Sequence, residues 1–261
     1  MRVTMLGSGT SSGVPRIGND WGHCDPGEPK NRRRRVSVLV EAGAHKVIVD
    51  TGPDFREQCL DAGLTRLDAV LLTHSHADHT HGIDDVRQWM HRMGRPIPVH
   101  AAKGTWDHFY DRFAYVFEGR ELYRASAEAI TIDGPFKVGP MTISAFPQRH
   151  GPITSWGFRF EADGAVFCYS TDMNDLTAEG RDAVRGCDLW IVDALRRNPH
   201  PTHAHLDLTL SWIEELRPGH AVLTHMDSSM DYAPLSAELP SGVEPGYDMW
   251  RMTLNGKEEA G

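Results

Sequence analysis

An α/β fold is predicted by three features of the chain. Short apolar, β-branched runs recur from end to end, bounded by Gly, Pro and Asp. Stretches with helical spacing lie between several of them. The third feature is size: 261 residues, 40% hydrophobic and 24% charged, can bury roughly three quarters of the unfolded surface without a disulfide or metal staple.

Taken in order, strands are expected at Arg2–Leu6, Val36–Glu41, Lys46–Asp50, Ala69–Thr73, Pro98–Ala101, Met141–Phe146, Ser155–Glu161, Ala165–Ser170, Leu189–Val192 and Ala221–Thr224. Helices are expected at Asp54–Ala62, Ile83–Met93, Gly104–Phe113, Asp175–Val184 and Leu206–Leu216, the last two opening near Asp residues that suit a helix N-terminus. No low-complexity linker or short repeat divides the chain, so one domain over residues 1–261 is expected. Residues Arg16 to Arg35 lack apolar periodicity and end in four consecutive arginines, which predicts a surface loop leading into a strand. The aromatic stretch from Gly104 to Arg124 has two readings, a helix packing its rings on the core or a lid over a pocket.

With 27 Lys+Arg against 36 Asp+Glu the formal net charge is −9, which disfavours long nucleic-acid duplexes as partners but leaves room for a local basic patch and a small phosphate. No apolar run reaches the roughly 18 to 20 residues of a membrane span, and Met1 to Gly7 lacks a secretory signal's apolar stretch. A cytoplasmic protein with no membrane partner is expected. Cys24, Cys59, Cys168 and Cys187 are widely spaced without a CxxC, and are expected reduced and buried, Cys24 partly exposed. The 15 histidines stand out, since imidazole is the commonest metal ligand among side chains.

The strongest signal is Thr73-His74-Ser75-His76-Ala77-Asp78-His79, directly after the apolar run Ala69–Leu72. A strand delivers this loop to a sheet edge, where residues two apart project to one side, so His74 and His76 can grip one ion. Asp78 and His79 can turn to a second, at the roughly 3.5–4 Å spacing of two-metal hydrolytic sites. Three protein ligands per ion are typical of a catalytic site. His150, Asp172 and His225 follow other predicted strands and supply the remainder if the strand ends converge.

This set resembles the metallo-β-lactamase superfamily over nearly the whole chain. Its phosphodiesterase branch, particularly the phosphoribosyl 1,2-cyclic phosphate phosphodiesterases, is resembled in three further segments. They are Gly7-Ser8-Gly9-Thr10-Ser11-Ser12-Gly13-Val14-Pro15, then His205-Leu206-Asp207-Leu208, and lastly Leu223-Thr224-His225 with Pro240-Ser241-Gly242 and Gly246-Tyr247-Asp248. The resemblance implies an αββα sandwich of two mixed sheets flanked by helices. It implies one metal on His74, His76 and His150, the other on Asp78, His79 and His225, and Asp172 bridging. The metals would be two divalent ions, zinc or manganese, with iron also suited to the donors. His205 would serve the leaving group, against the alternative of a helix-terminal residue facing water. Asp50 would orient the ligand loop, or else cap a turn. A homodimer is also suggested. Several relatives carry a separate structural zinc on an N-terminal Cys cluster and a late His; here Gly22-His23-Cys24-Asp25-Pro26 holds one cysteine and the late position falls near Ser228, so that zinc is expected to be missing.

The activity expected is that of a binuclear hydrolase acting on a small cyclic or nucleotide-like phosphodiester, with a hydroxide bridging the metals as nucleophile. Its partner would be a small phosphorylated substrate. The Gly7–Gly13 loop offers amides and hydroxyls to an anion but lacks the Lys of a P-loop. Arg149, Arg196 and Arg197 are either substrate contacts or solvated surface charge. Three other readings stay open: a thioesterase, lactonase or lactamase on the same site, an RNA-processing nuclease resembling tRNase Z, and a non-catalytic metal-binding protein.

Overall fold

The structure, a computed structural model, describes residues 1–255. The first sheet contains β1 (Arg2–Gly7), β2 (Ser37–Ala42), β3 (His45–Val49), β4 (Ala69–Leu72), β5 (Ile97–Ala101) and β6 (Ala127–Thr131), adjacent in that order. The second contains β7 (Phe136–Val138), β8 (Met141–His150), β9 (Ile153–Ala162), β10 (Ala165–Ser170), β11 (Asp175–Leu176), β12 (Leu189–Asp193), β13 (Ala221–Thr224) and β14 (Val243–Pro245). The last strand, β15 (Arg251–Thr253), returns to pair with β1. In the second sheet β8, β9, β10, β12, β13 and β14 follow one another, with β7 and β11 on the outer side of β8. Both sheets are mixed: β3 to β6 run parallel, as do β10, β12, β13 and β14, while the hairpins β2–β3 and β8–β9 are antiparallel.

Strands buried on both faces explain the continuous apolar runs. Val47, Val49, Ala69 and Leu71 point into the space between the sheets, against Phe158, Phe160, Phe167 and Ile191. Ile48, Val70 and Leu72, one residue out of step, face an outer helical layer bearing Phe55, Trp89, Trp106 and Phe109. Trp190 and Val192 of the other sheet likewise face Val184, Trp212 and Leu216. The result is the αββα sandwich.

Several boundaries differ from the sequence reading. Strand β8 runs on to His150, paired to β9 throughout, because its alternating pattern continues past Phe146. Asp175 and Leu176 form an edge strand rather than a helical turn, and the helix is Ala178–Val184, with the Thr177 hydroxyl accepting from the Gly180 amide. The Ile83–Met93 stretch is a 3-10 turn, Ile83–Asp85, followed by the helix Val86–Met93. The aromatic stretch is a helix at Lys103–Phe109, a 3-10 turn and a second helix at Ala114–Glu118. Trp106 and Phe109 are in the core while Tyr115 and Tyr123 are exposed. All four cysteines are buried free thiols, Cys24 included.

The arginine run is not uniformly solvated. Arg33 is 2% exposed; its Nη2 donates to the Met230 carbonyl at 2.6 Å and its Nη1 to that of Asp227 at 3.3 Å, which ties the 16–35 loop to the turn after β13. Carbonyl oxygens and Asn31 Oδ1 replace the water that a guanidinium would otherwise hold.

His100 on β5 stacks on Phe136, with centroids 4.3 Å apart and planes at 6°. Burial lowers its pKa from 6.5 to about 4. As pH falls the unfolded chain takes up this proton first, so the contribution to stability is full above about 6.5 and is lost progressively down to about 4. His100→Gln should flatten the fall in Tm across that interval; an unchanged fall in a pH series of thermal melts would contradict this assignment.

Candidate metal centre

The C-terminal ends of β3, β4, β10, β12 and β13 and the end of β8 lie together, and each contributes a polar residue. Asp50 follows β3, Thr73 and His74 follow β4, His150 closes β8, Asp172 follows β10, Asp193 closes β12 and His225 follows β13. The convergence is the usual consequence of sheet geometry, in which loops at one strand edge share a crevice. Asp50, Asp172 and His225 sit at φ of +64°, +51° and +59°. Left-handed backbone is uncommon outside glycine, although Asp and His tolerate it better than most. Here it turns each chain sharply at the strand end and aims the side chain inward.

Asp50, fully buried, organises the ligand loop. Its Oδ1 accepts the Thr73 amide at 2.8 Å. Its Oδ2 accepts the Thr73 hydroxyl at 2.8 Å and His79 Nδ1 at 2.7 Å. The Thr73 oxygen in turn lies 3.0 Å from His74 Nδ1. With the hydroxyl proton committed to Asp50, that contact assigns the His74 proton to Nδ1, so His74 and His79 both present unprotonated Nε2 atoms inward in their neutral forms. His150 is set the same way, its Nδ1 donating to the Thr202 carbonyl at 2.7 Å.

Two groups of donors result. His74, His76, His150 and Asp172 form one, Asp78, His79, Asp172 and His225 the other, and the ligand atoms within each group lie within 4.8 Å of one another. Asp172 belongs to both, with its oxygens divided between them. Oδ2 lies 3.8 Å from His74 Nε2 and 3.7 Å from His150 Nε2. Oδ1 lies 3.1 Å from His79 Nε2 and 3.3 Å from His225 Nε2.

These atoms face one another without bonding: Nε2 of His74, His79 and His225 is buried and has no hydrogen-bond partner. Orphaned buried nitrogens are costly unless something satisfies them, and their convergence on shared points fits a divalent cation. The electrostatics agree. Burial opposes charge on His79, but the carboxylates of Asp172, Asp78 and Asp50 prevail and raise its pKa well above that of free imidazole. The same contest brings His225 up to about 9, mainly through Asp172. Asp172 is held well below the usual carboxylate range by His225 and His79 despite its burial. His74 moves the other way, through burial and the neighbouring His79. The carboxylates thus demand positive charge beside them, which a metal ion supplies better than protons do.

A cavity of about 340 Å³ opens on the cluster, lined by Ser11, His76, Asp78, His150, Pro152, Ile153, Asp172, Thr202, His203 and His225. His203, not His205, is on its wall. His205 is half-buried and caps the helix Leu206–Leu216, where its carbonyl accepts the Thr209 amide. The loop from β12 to that helix is anchored at both ends, which leaves His203 pointing inward. His203 Nδ1 donates to Asp193 Oδ2 at 3.1 Å, and its Nε2 is 3.9 Å from Asp172 Oδ2. Asp193, fully buried, also accepts the Met173 amide. Neither residue was singled out from the sequence, although Asp193 closes an apolar run as Asp50 does. Arg149, Arg196 and Arg197 do not line the cavity; Arg196 donates to nearby carbonyls and Arg197 pairs with Glu238. The Gly7–Pro15 loop is fixed by Asp248, which accepts Ser8 N and Oγ and Arg34 N.

Residues 45–226 match the family model described as a beta-lactamase superfamily domain, so the chain belongs to the metallo-β-lactamase superfamily and carries the donor set of a metal-dependent hydrolase. Within that class it is similar over 97% of its length to a solved diphosphatase of the PhnP family, of which it covers 98%, at 33% identity and a TM-score of 0.89. It is 34% identical over 95% of its length to an octanoyltransferase of Porphyromonas gingivalis, and 32% identical over 70% to a ribonuclease Z of Mycobacterium bovis. The chain spans half the length of the first of these and 69% of the second. Among the described residues no helix is long and apolar enough to cross a membrane.

Because Asp50 fixes two imidazoles at once, Asp50→Asn should weaken zinc binding about 10- to 100-fold and cost about 2 kcal/mol of stability. Zinc titration and urea unfolding measure the two effects; unaltered zinc affinity would contradict the positioning role.

Proposed function

We propose that this chain is a binuclear metal-dependent phosphodiesterase acting on a small cyclic or nucleotide-like phosphodiester. The observation that carries the reading is the division of the Asp172 oxygens between two donor groups beside one small cavity. The likeness to a PhnP-family diphosphatase along almost the whole of both chains supports the substrate class. His74, His76 and His150 would hold one divalent ion, Asp78, His79 and His225 the other, and Asp172 both. Zinc or manganese suits these donors, and iron is compatible with them. Such ions lower the pKa of bound water toward neutrality and neutralise charge on phosphoryl oxygens.

The chain's own residues supply the rest. Asp172 and Asp78 balance the cationic centre, while Asp50 and the Thr202 carbonyl orient the imidazoles of His79 and His150. The leaving-group role expected for His205 is assigned instead to His203, the histidine on the cavity wall. With Nδ1–H held by Asp193, protonated His203 donates from Nε2 to the departing oxygen, while Asp193 stabilises the imidazolium. Pro152 and Ile153 give the cavity its apolar lining.

A second reading, an RNA-processing nuclease, draws on the ribonuclease Z likeness. The net charge of −9 weighs against it, because RNA binding relies on neutralising many phosphates.

Asp172→Ala should reduce bound metal from two ions per chain to one or none and lower kcat/KM for bis(p-nitrophenyl) phosphate by about a thousandfold or more. Elemental analysis with steady-state kinetics checks both, and near wild-type turnover would refute the shared-ligand role. Thioester and lactam hydrolysis outpacing the diester would redirect the substrate class. For His203, the expected signature of His203→Ala is full metal content with a loss of rate that grows as the leaving group becomes more basic, by about 100-fold or more for an alkyl ester. The same signature in His205→Ala and not in His203→Ala would reverse the assignment.

A further inference from the structure

A cavity of about 400 Å³ opens at the end of the sandwich away from the metal centre. Ala69, which begins β4, lines it, whereas Thr73 and His74 follow the other end of that strand, about 13 Å further along. Its charged lining is Arg66, Arg95 and Lys137 against the single carboxylate of Asp68, with His45 and His100 beside them. In a chain of net charge −9 this local excess of cations is unusual.

The carboxylate is already committed. The Asp68 side chain is 4% exposed. It accepts the Lys46 amide at 2.9 Å and, in a fork, Nε and Nη2 of Arg66 at 2.8 and 2.6 Å. Arg95 approaches it only to 3.8 Å, too far for a hydrogen bond. The guanidinium of Arg95 otherwise gives Nη1 to the neighbouring Pro96 carbonyl at 3.3 Å. Lys137, exposed at the middle of β7, has no ion pair or hydrogen bond among the described residues. Three cations therefore share one anion that solvent barely reaches.

His100 is a second, independent observation. Val99 and Ala101 face the outer helical layer, so His100 points between the sheets. It is 9% exposed and lines the cavity with no hydrogen-bond partner among the described residues. Burial alone lowers its pKa, without an opposing carboxylate. A buried polar group without a partner is costly, and this one stands where cations are in excess. An oxyanion would satisfy both, since it accepts from several donors at once and matches a guanidinium in charge and shape.

We propose that this cavity is a second ligand site, remote from the metal centre, which takes a small phosphate or phosphomonoester dianion on Arg95 and the His100 N–H, with Lys137 adding charge. The site is independent of the reaction at the metal centre. Its lining comes from both sheets, His45, Ala69 and His100 from the first and Lys137 from the second, so the bound anion ties their far ends together.

The test titrates the zinc-replete protein, labelled with carbon-13 at histidine Cε1, with inorganic phosphate at ionic strength held constant with chloride. His45→Gln, His100→Gln and His203→Ala assign the three resonances that matter. Those of His45 and His100 should shift and saturate in wild type. The Kd they report should rise about tenfold or more in Arg95→Ala and less in Arg95→Lys, while any response of His203, which reports on the metal centre, should be the same in all three proteins. Absence of a saturable shift at His45 and His100 overturns the site. So does a Kd that is unchanged in Arg95→Ala, which would assign the shift to phosphate at the metal centre. Arg95 is exposed, the spectra themselves report whether the variants keep the fold, and Arg95→Lys retains the charge should Arg95→Ala lose it.

Discussion

The geometry of the centre depends on one buried carboxylate. Asp50 accepts the Thr73 amide, the Thr73 hydroxyl and His79 Nδ1, and through that hydroxyl it also sets His74. Four groups of the ligand loop are thereby locked by a residue that touches no substrate cavity. The arrangement makes chemical sense because an imidazole is a useful ligand only in the right tautomer and orientation, and both are settled by what its other nitrogen touches. Burying Asp50 costs desolvation, which raises its pKa; the Thr73 amide, the Thr73 hydroxyl and His79 are what offset that cost.

The same logic extends outward. Thr202 sets His150 through its carbonyl, and Asp193 sets His203. The backbone at Asp50, Asp172 and His225 is held in left-handed conformations, a local cost that persists only where surrounding structure dictates it. The sandwich provides that rigidity. β3 and β4 lie in one sheet and β10, β12 and β13 in the other, packed through a common apolar layer, and the Trp156 amide reaches across to the Thr73 carbonyl at 3.0 Å. Ligands from both sheets are therefore fixed relative to each other before any ion arrives.

What was legible in the sequence was what strands write into it. Ala69–Leu72 followed by His74, His76, Asp78 and His79 is local, and His150, Asp172 and His225 each close an apolar run. His203 has no such run before it; it lies in a Pro-flanked loop whose path is decided by tertiary contacts, whereas the resemblance points to His205 at the start of the next helix. Asp193 closes an apolar strand as Asp50 follows one, so its signal is legible in the sequence. The edge strands β7, β11, β14 and β15 carry too few residues to show a period, and β6 buries only Ala127. Arg33 was unreadable for another reason: a run of four arginines is ordinarily solvated, and only the carbonyls of a distant turn make its burial tolerable.

The central claim is that Asp172 joins two cation sites, and anomalous X-ray scattering from a crystal of the zinc-replete protein tests it most directly. The account predicts two peaks, one beside Oδ2 with His74, His76 and His150, the other beside Oδ1 with Asp78, His79 and His225, about 3.5–4 Å apart. A single peak, or two peaks with Asp172 bound to neither, would contradict it.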